Sequence, residues 1–570
     1  MPPKVDYSVY LVTDPTLAIL GPGRTVVEVV AAAFGNKTTP SSSNELPHVG
    51  IVQLRDKDAD ARTMLATLAE LHSYTGPAGS PLLVNDRVDV AVAAMSRGHC
   101  EGVHLGQDDI DVATARKMLG PDAIIGVTAS TVDEAVTACR DGADYLGLGT
   151  VFATPTKTNT KHVVGTAGIQ RMLQAMTAAG FGHVPTVCIG GVNASNARRV
   201  VFQSGFDGRD GQAAKALDGV AVVSAIMGVA DPGEAAATLA EQVRLGKTQG
   251  PTGFYRALTT PFESYSTLST PPTSSAIQRI LQALHETTPL SHNMTNLVVQ
   301  NIAANVALAV GASPIMSNSG TEAADLARLP GSALVINMGT STPESLANYV
   351  KAIGAYNAAG RPVVFDPVGA GATAVRRAAV RTILAAGYLD VIKGNEGEIQ
   401  TVYLSGLSEE EVAAEPAGLA QQRGVDGSNS LDTEARIRLV RRLAAREKCV
   451  VVLTGAVDYV SDSRGARVVA VEDGHPMLGQ VTGTGCSLGT TISATVAAAA
   501  TLRDSSDSEG IDTFTAVLAG MVLYERAAVR AATLPSVKGP GTFVPAFLDE
   551  LSACRRAAAA GDMQWLESQK

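Results

Sequence analysis

Two cations stand two residues apart at Arg55 and Lys57, and period-two alternation lets both face the same side of a strand end, where together they suit a diphosphate. Asp86 and Asp109 follow two further apolar runs; as hard oxygen ligands they can share one Mg2+ that keeps waters and substrate phosphate oxygens. Gly190-Gly191 and Ser224 come after later runs and offer bare backbone N–H groups to a second phosphate. Two anion sites on one mouth call for two phosphorylated substrates. In the second half, Val481-Thr482-Gly483-Thr484-Gly485-Cys486-Ser487-Leu488-Gly489 places successive N–H groups at a helix start, an anion hole for a transferring phosphoryl group. Asp366 and Glu398, each just after an apolar run, can serve Mg2+ on ATP, and Lys393 can neutralise phosphate charge. Cys486 either takes a proton from a substrate hydroxyl or orients it, and a helix start with a low thiol pKa would favour the thiolate. His292 has no second His at ligand spacing and reads as structural or substrate-adjacent.

Groups so far apart in sequence meet only if the elements between them repeat. From Asp6 to about Gly228 a short β-branched run alternates with an Ala-rich amphipathic stretch. The eight runs span residues 7–13, 50–54, 82–84, 102–105, 124–127, 145–148, 186–189 and 219–223. Near-continuous apolar strands alternating with helices predict parallel β/α units, and eight of them match a closed (β/α)8 barrel, with a six-stranded open sheet as the alternative. Seven of the eight runs then deliver polar or charged residues to one end, where such barrels keep their chemistry. The stretch 246–273 has the Pro, Thr and Ser content of a linker. Its Gly246-Lys247-Thr248 mimics the end of a phosphate loop, but Glu241 stands where the first glycine is required. After Ser275 the apolar runs 335–337, 363–366, 391–393 and 450–454 predict an open α/β sheet with ligands at its strand ends. The segment 408–432 reads as a surface insertion. The expected organisation is a barrel over 1–240, a linker over 241–275 and a second α/β domain over 276–570.

With 45 basic and 55 acidic side chains in 570 residues, the net charge of −10 argues against a general nucleic-acid binder and leaves room for local basic pockets. The 45% apolar content supports large cores. Six scattered cysteines without C-x-x-C spacing, and no secretory or transit signature, make the cytoplasm the expected location. The uncharged window 481–502 is long enough to span a bilayer, but its Gly, Thr, Ser and Ala content predicts a buried helix of a protein without a membrane partner.

Motifs in order over the first 230 residues resemble thiamine-phosphate synthase: Gln53-Leu54-Arg55-Asp56-Lys57, Asn85-Asp86-Arg87, Gly102-Val103-His104-Leu105-Gly106-Gln107-Asp108-Asp109, Thr154-Pro155-Thr156-Lys157 and Ile189-Gly190-Gly191-Val192. The resemblance implies joining a hydroxymethylpyrimidine diphosphate to a thiazole phosphate. It places Gln53, Arg55, Lys57, Asn85, Thr128 and Lys157 on the pyrimidine diphosphate and Asp86 and Asp109 on Mg2+. Thr154, Thr156, Gly190, Gly191, Val223 and Ser224 would cradle the thiazole phosphate. Thr128 stands where many relatives carry Ser, which retains the hydroxyl, and 35–45 looks like a loop insertion.

Residues 280–550 are similar to hydroxyethylthiazole kinase of the ribokinase-like superfamily, through Ser291-His292-Asn293-Met294-Thr295-Asn296, Gly311-Ala312-Ser313-Pro314-Ile315-Met316, Asp366-Pro367-Val368-Gly369-Ala370-Gly371 and Lys393-Gly394-Asn395-Glu396-Gly397-Glu398. That resemblance puts Met316 and Gly483 near the thiazole alcohol and Lys393 and Thr454 near ATP. Cys486 stands where sugar-kinase relatives carry Asp, as in the thiazole branch. Together the two halves resemble a fungal-type fusion whose second half makes the thiazole phosphate that its first half consumes. The similarity also implies a homo-oligomer, with kinase sites at the subunit interfaces of a trimer and a higher assembly, such as a hexamer, in fused forms.

Overall fold

The computed structural model describes residues 5–35, 48–154, 163–208, 211–248, 265–267, 274–339, 341–407, 412, 431–502 and 511–566. The chain divides into two compact units, Met1–Gly250 and Pro251–Lys570.

In the first unit, strands β1 (Val9–Val12), β2 (Ile51–Leu54), β3 (Leu82–Asn85), β4 (Gly102–Leu105), β5 (Ile124–Ala129), β6 (Tyr145–Gly149), β7 (Thr186–Ile189) and β8 (Gly219–Val222) form a closed barrel, so the open-sheet alternative falls. Every neighbouring pair is parallel, and β8 closes on β1 with Val222 opposite Leu11. Both faces are buried, which is why the strands read as continuous apolar runs. Val9, Leu11, Val52, Leu54, Val103 and Leu105 point out against the helix ring. Tyr10, Val12, Ile51, Leu83, Tyr145, Val187 and Ala221 fill the interior. Helices are set off by side-chain caps: Asp60 accepts from Thr63 N, Asp111 from Thr114 N and Thr131 from Glu134 N. Parallel strands feeding helices of one hand bring all eight C-terminal ends to a common mouth. The helix Pro232–Thr248 runs into the stretch expected as linker, because Val243 and Gly246 are buried. Gly246 sits so close to the Arg198 carbonyl that a Cβ would come within 2.6 Å of it.

The second unit holds a nine-stranded sheet in the order β11-β10-β12-β13-β14-β15-β16-β17-β9. These are β9 (Tyr265–Thr267), β10 (Leu290–Met294), β11 (Ser313–Ile315), β12 (Ser332–Asn337), β13 (Val363–Asp366), β14 (Val391–Asn395), β15 (Val450–Thr454), β16 (Asp458–Ser461) and β17 (Val468–Val471). From β11 to β15 neighbours are parallel; β16 and β17 form an antiparallel extension, and β9 pairs in parallel with β17. Alternate residues go to opposite layers. Val335, Val364, Val391 and Val450 face the helices Thr484–Thr501, Thr513–Thr533 and Pro540–Ala559, while Leu334, Val363, Ile392 and Val451 face the other layer. The helix Thr484–Thr501 is buried along most of its length, which explains its lack of charge. Among the described residues no helix is long and apolar enough to cross a membrane. Most of 408–432 and of 35–45 lies outside the described residues.

Candidate functional site

At the barrel mouth a cavity of about 450 Å3 is lined by nine of the residues singled out in the sequence: Gln53, Arg55, Asn85, Thr128, Thr154, Gly190, Gly191, Val223 and Ser224. Thr156 and Lys157 lie outside the described residues. Arg55 is aimed by Asp14, whose buried carboxylate takes its Nη1 at 3.1 Å, and by Thr13, whose hydroxyl accepts from Arg55 N at 2.9 Å. Asp14, two residues past the end of β1, was not anticipated from the sequence. Gly190 and Gly191 both take positive φ, 104° and 67°, and a Cβ on Gly190 would come within 2.2 Å of the Thr150 methyl. Only glycine makes this turn so close to the neighbouring loop.

Beside the cavity, Lys57 Nζ lies 3.9 Å from Asp86 Oδ2. Burial, and then the adjacent Asp109 carboxyl, push Asp86 up to about 6, while Lys57 and the Asn85 amide pull the other way. Asp109 accepts from Gly106 N at 2.6 Å. Asp86 is also held at φ 61°, a region that Asp tolerates better than most residues. Two facing carboxylates with one half-exposed lysine are short of positive charge, which a proton or a cation would supply.

His104, which lies inside one of the sequence motifs without an assigned role, also lines this cavity. Its Nε2 lies 2.8 Å from the Thr128 hydroxyl and its Nδ1 2.8 Å from the Tyr145 hydroxyl.

In the second unit, Lys393 on β14 is buried with its Nζ 3.3 Å from Asp366 Oδ2 at the end of β13, and it donates to the Gly485 carbonyl at 2.9 Å. Asn337, at the end of β12, donates to Asp366 Oδ2 at 3.1 Å and is itself held by Asn296. Burial works against the Lys393 charge, but Asp366, Cys486 and Glu398 together hold it above the ordinary lysine value. Burial pushes Asp366 up against the pull of that ammonium. Its Oδ1 has no hydrogen-bond partner among the described residues. Glu398 caps its own helix, Glu396–Ser405, accepting from Asn395 N, and also takes Gly369 N at 2.8 Å; burial and then Asp366 raise it to about 7.

Cys486 is the third residue of the helix Thr484–Thr501 and sits against this cluster. The condition that would favour a thiolate is not met: burial first, and then the Asp366 charge, push the thiol up to about 12, outweighing Lys393 and the Asn337 amide. A helix start lowers a thiol pKa, but burial and neighbouring carboxylates raise it and here prevail. Gly483 caps the helix at φ 96°, and a Cβ there would come within 2.8 Å of Ile302. Met316 follows β11 and Thr454 ends β15, both half-buried. With β13 three strands from the first and two from the second, they flank Asp366 across about 24 Å of sheet, room for two substrates end to end.

Among the described residues no three His, Cys, Asp or Glu converge as a protein-only metal cage. Each cluster instead offers two carboxylates, and the orphaned Asp366 oxygen fits a cation that takes its remaining ligands from water and phosphate.

The thiamine monophosphate synthase family matches residues 9–226 and the hydroxyethylthiazole kinase family residues 281–556. A protein of Schizosaccharomyces pombe described as a probable thiamine biosynthetic bifunctional enzyme is 36% identical over 576 residues, covering 100% of this chain and 98% of that protein. The thiamine biosynthetic bifunctional enzyme of Saccharomyces cerevisiae is 34% identical, over 96% of this chain and 95% of its own length. The chain belongs to the bifunctional thiamine biosynthetic enzymes. This bifunctional enzyme carries its thiamine-phosphate synthase on the barrel and its hydroxyethylthiazole kinase on the ribokinase-like α/β unit. The kinase half is similar over nearly the full length of a free-standing enzyme: hydroxyethylthiazole kinase of Moorella thermoacetica is 41% identical over 47% of this chain and 90% of its own. Its kinase half implies use of ATP.

Proposed function

We propose that the second unit phosphorylates the alcohol of 4-methyl-5-(2-hydroxyethyl)thiazole with ATP, and that the barrel condenses the resulting thiazole phosphate with 4-amino-2-methyl-5-(diphosphooxymethyl)pyrimidine to thiamine phosphate and pyrophosphate. In the kinase unit, Met316 and Gly483 shape the side that takes the thiazole and Thr454 the side that takes ATP. Lys393 holds positive charge beneath the helix start, where the migrating phosphoryl group meets the N–H groups of 483–486. Cys486, as a thiol, orients the substrate hydroxyl.

In the barrel, Arg55 and Lys57 receive the diphosphate with Lys157, while Gln53, Asn85 and Thr128 hold the pyrimidine. Thr154, Thr156, Gly190, Gly191, Val223 and Ser224 cradle the thiazole phosphate. No protein nucleophile is required, because the thiazole nitrogen attacks the pyrimidine methylene carbon as pyrophosphate leaves; the enzyme orients two partners and receives the charge. Mg2+, held by Asp86 and Asp109 in one unit and by Asp366 and Glu398 in the other, would supply positive charge against departing pyrophosphate and transferring phosphate.

The observation that carries the reading is the single cavity in which Arg55, Asn85 and Thr128 meet Thr154, Gly190, Gly191 and Ser224. The test is incubation of the full chain with thiazole alcohol, pyrimidine diphosphate, ATP and Mg2+, following thiamine phosphate by mass. Product is expected from the alcohol only with ATP, and from supplied thiazole phosphate without it; an ATP requirement in both arms overturns the division of labour. The same reading carries a trimer-based homo-oligomer in the cytoplasm. Leu297 and Val298, 80% and 74% exposed beside the Val299 that abuts Gly483, are an apolar pair that a second copy would cover. Light scattering that gives a monomer would remove that part.

A further inference from the structure

Five hydrogen bonds join the Asn85 amide to the Thr128 hydroxyl through the barrel interior, by way of Gln53, Tyr10, Tyr145 and His104. Their direction follows from one end. Asn85 turns its Oδ1, which only accepts, to Gln53. Gln53 Nε2 donates to that oxygen at 2.6 Å, which leaves Gln53 Oε1 to accept the Tyr10 hydroxyl at 2.8 Å. With its proton committed, Tyr10 accepts from Tyr145 at 2.7 Å, and Tyr145 in turn accepts from His104 Nδ1 at 2.8 Å. His104 then bears its proton on Nδ1, and its bare Nε2 takes the Thr128 O–H at 2.8 Å. Reversing any member requires reversing two amides, two phenols and the imidazole. Tyr10 and Tyr145 are 1% and 0% exposed, so no water offers an alternative partner.

We infer that Tyr10, Tyr145 and His104 are positioning residues that fix Thr128 as a hydrogen-bond acceptor toward the mouth, so that it recognises an N–H donor of the substrate and cannot donate to a phosphate oxygen. This rests on the coupling reaction proposed above and deepens it. The exocyclic amine of the pyrimidine is the donor Thr128 is set to meet, and the diphosphate is left to the cations on the other side of the mouth.

The test pairs an activity measurement with a spectroscopic one, both on the full chain. With thiazole phosphate supplied, Tyr145→Phe is expected to lower kcat/KM for the pyrimidine diphosphate about tenfold, mainly through KM for that substrate. In a Thr128→Val background, which has no hydroxyl to orient, adding Tyr145→Phe should change kcat/KM less than about twofold. Losses that multiply in the double variant overturn the inference. Independently of activity, 15N spectra of histidine-labelled protein, with His104 assigned by its loss in His104→Gln, should show a protonated Nδ1 and a bare Nε2. A wild-type Nε2–H tautomer overturns the chain. Absence of any coupling by the wild type, with the Nδ1–H tautomer present, overturns the reaction and with it the assigned donor, while the chain and the acceptor state of Thr128 stand.

Discussion

The two sites handle the same problem, phosphate charge, with opposite exposure. In the barrel the side chains of Arg55 and Lys57 are 27% and 62% exposed, and the carboxylates beside them are short of positive charge. In the kinase unit Lys393 and Asp366 are paired at 4% and 1%. An exposed cation is screened by water and can be removed cheaply, whereas a buried pair broken on one side leaves an uncompensated charge in a low dielectric. The difference teaches that the barrel is completed by its ligands and the kinase site is largely preassembled.

The largest effect that would break this contrast is at Lys393. Lys393→Met should destabilise the second unit by about 3–5 kcal/mol in denaturant melts and abolish phosphorylation of the alcohol, while coupling of supplied thiazole phosphate survives. Next, Asp109→Ala should slow coupling about 100-fold and weaken its Mg2+ dependence, with kinase turnover unchanged; an unaltered Mg2+ response would remove that residue from the cation site. Cys486→Ala should slow product formation from the alcohol about tenfold or more but not from thiazole phosphate. In the wild type, alkylation of this thiol should keep accelerating to about pH 11.

A smaller, sharpening effect lies in pH. Glu398 rises from 4.5 to about 7 and Asp86 from 3.8 to about 6, so each must lose a proton to hold a cation. The acid limb of kinase activity should therefore sit about one unit above that of coupling, and Glu398→Gln should flatten it. Stability moves the other way. A carboxyl raised in the fold stabilises below its unfolded pKa, and that contribution is lost as pH rises through the folded value, near 7 in the second unit and near 6 in the first. The smallest effect belongs to Lys57→Ala, whose exposed ion pair should cost the barrel no more than about 1 kcal/mol by calorimetry.

The barrel was legible because each strand is buried on both faces and so stands out as an apolar run between capped helices; its observed ends differ from the expected ones by only a residue or two. The second sheet was half legible for the converse reason. Its strand β10 reads Leu-Ser-His-Asn-Met, with Ser291, His292 and Asn293 buried but satisfied by Ser493, Tyr356 and Thr490 from distant segments, partners no local pattern reveals. The antiparallel pair β16 and β17 was also missed, as was the three-residue β9 inside a stretch of linker composition. Motif spacing found the groups that meet phosphate. It did not find Asp14, Asn337 or the role of His104, because an aiming residue is recognised only by what it touches. The thiol of Cys486 shows the same limit, since its neighbours across the sheet, and not its place on a helix, decide its protonation.

The strand Tyr265–Thr267 covers the outer edge of β17 in the second sheet, alongside Val468–Ala470. Its backbone occupies donors and acceptors that would otherwise invite a foreign chain to add on, the usual route to sticky oligomers and aggregates. A free-standing kinase fragment cut at residue 275 would lose that guard and expose a bare margin, whereas one cut before residue 265 keeps it. The stretch between the two catalytic parts thus adds an edge strand to the sheet of one of them.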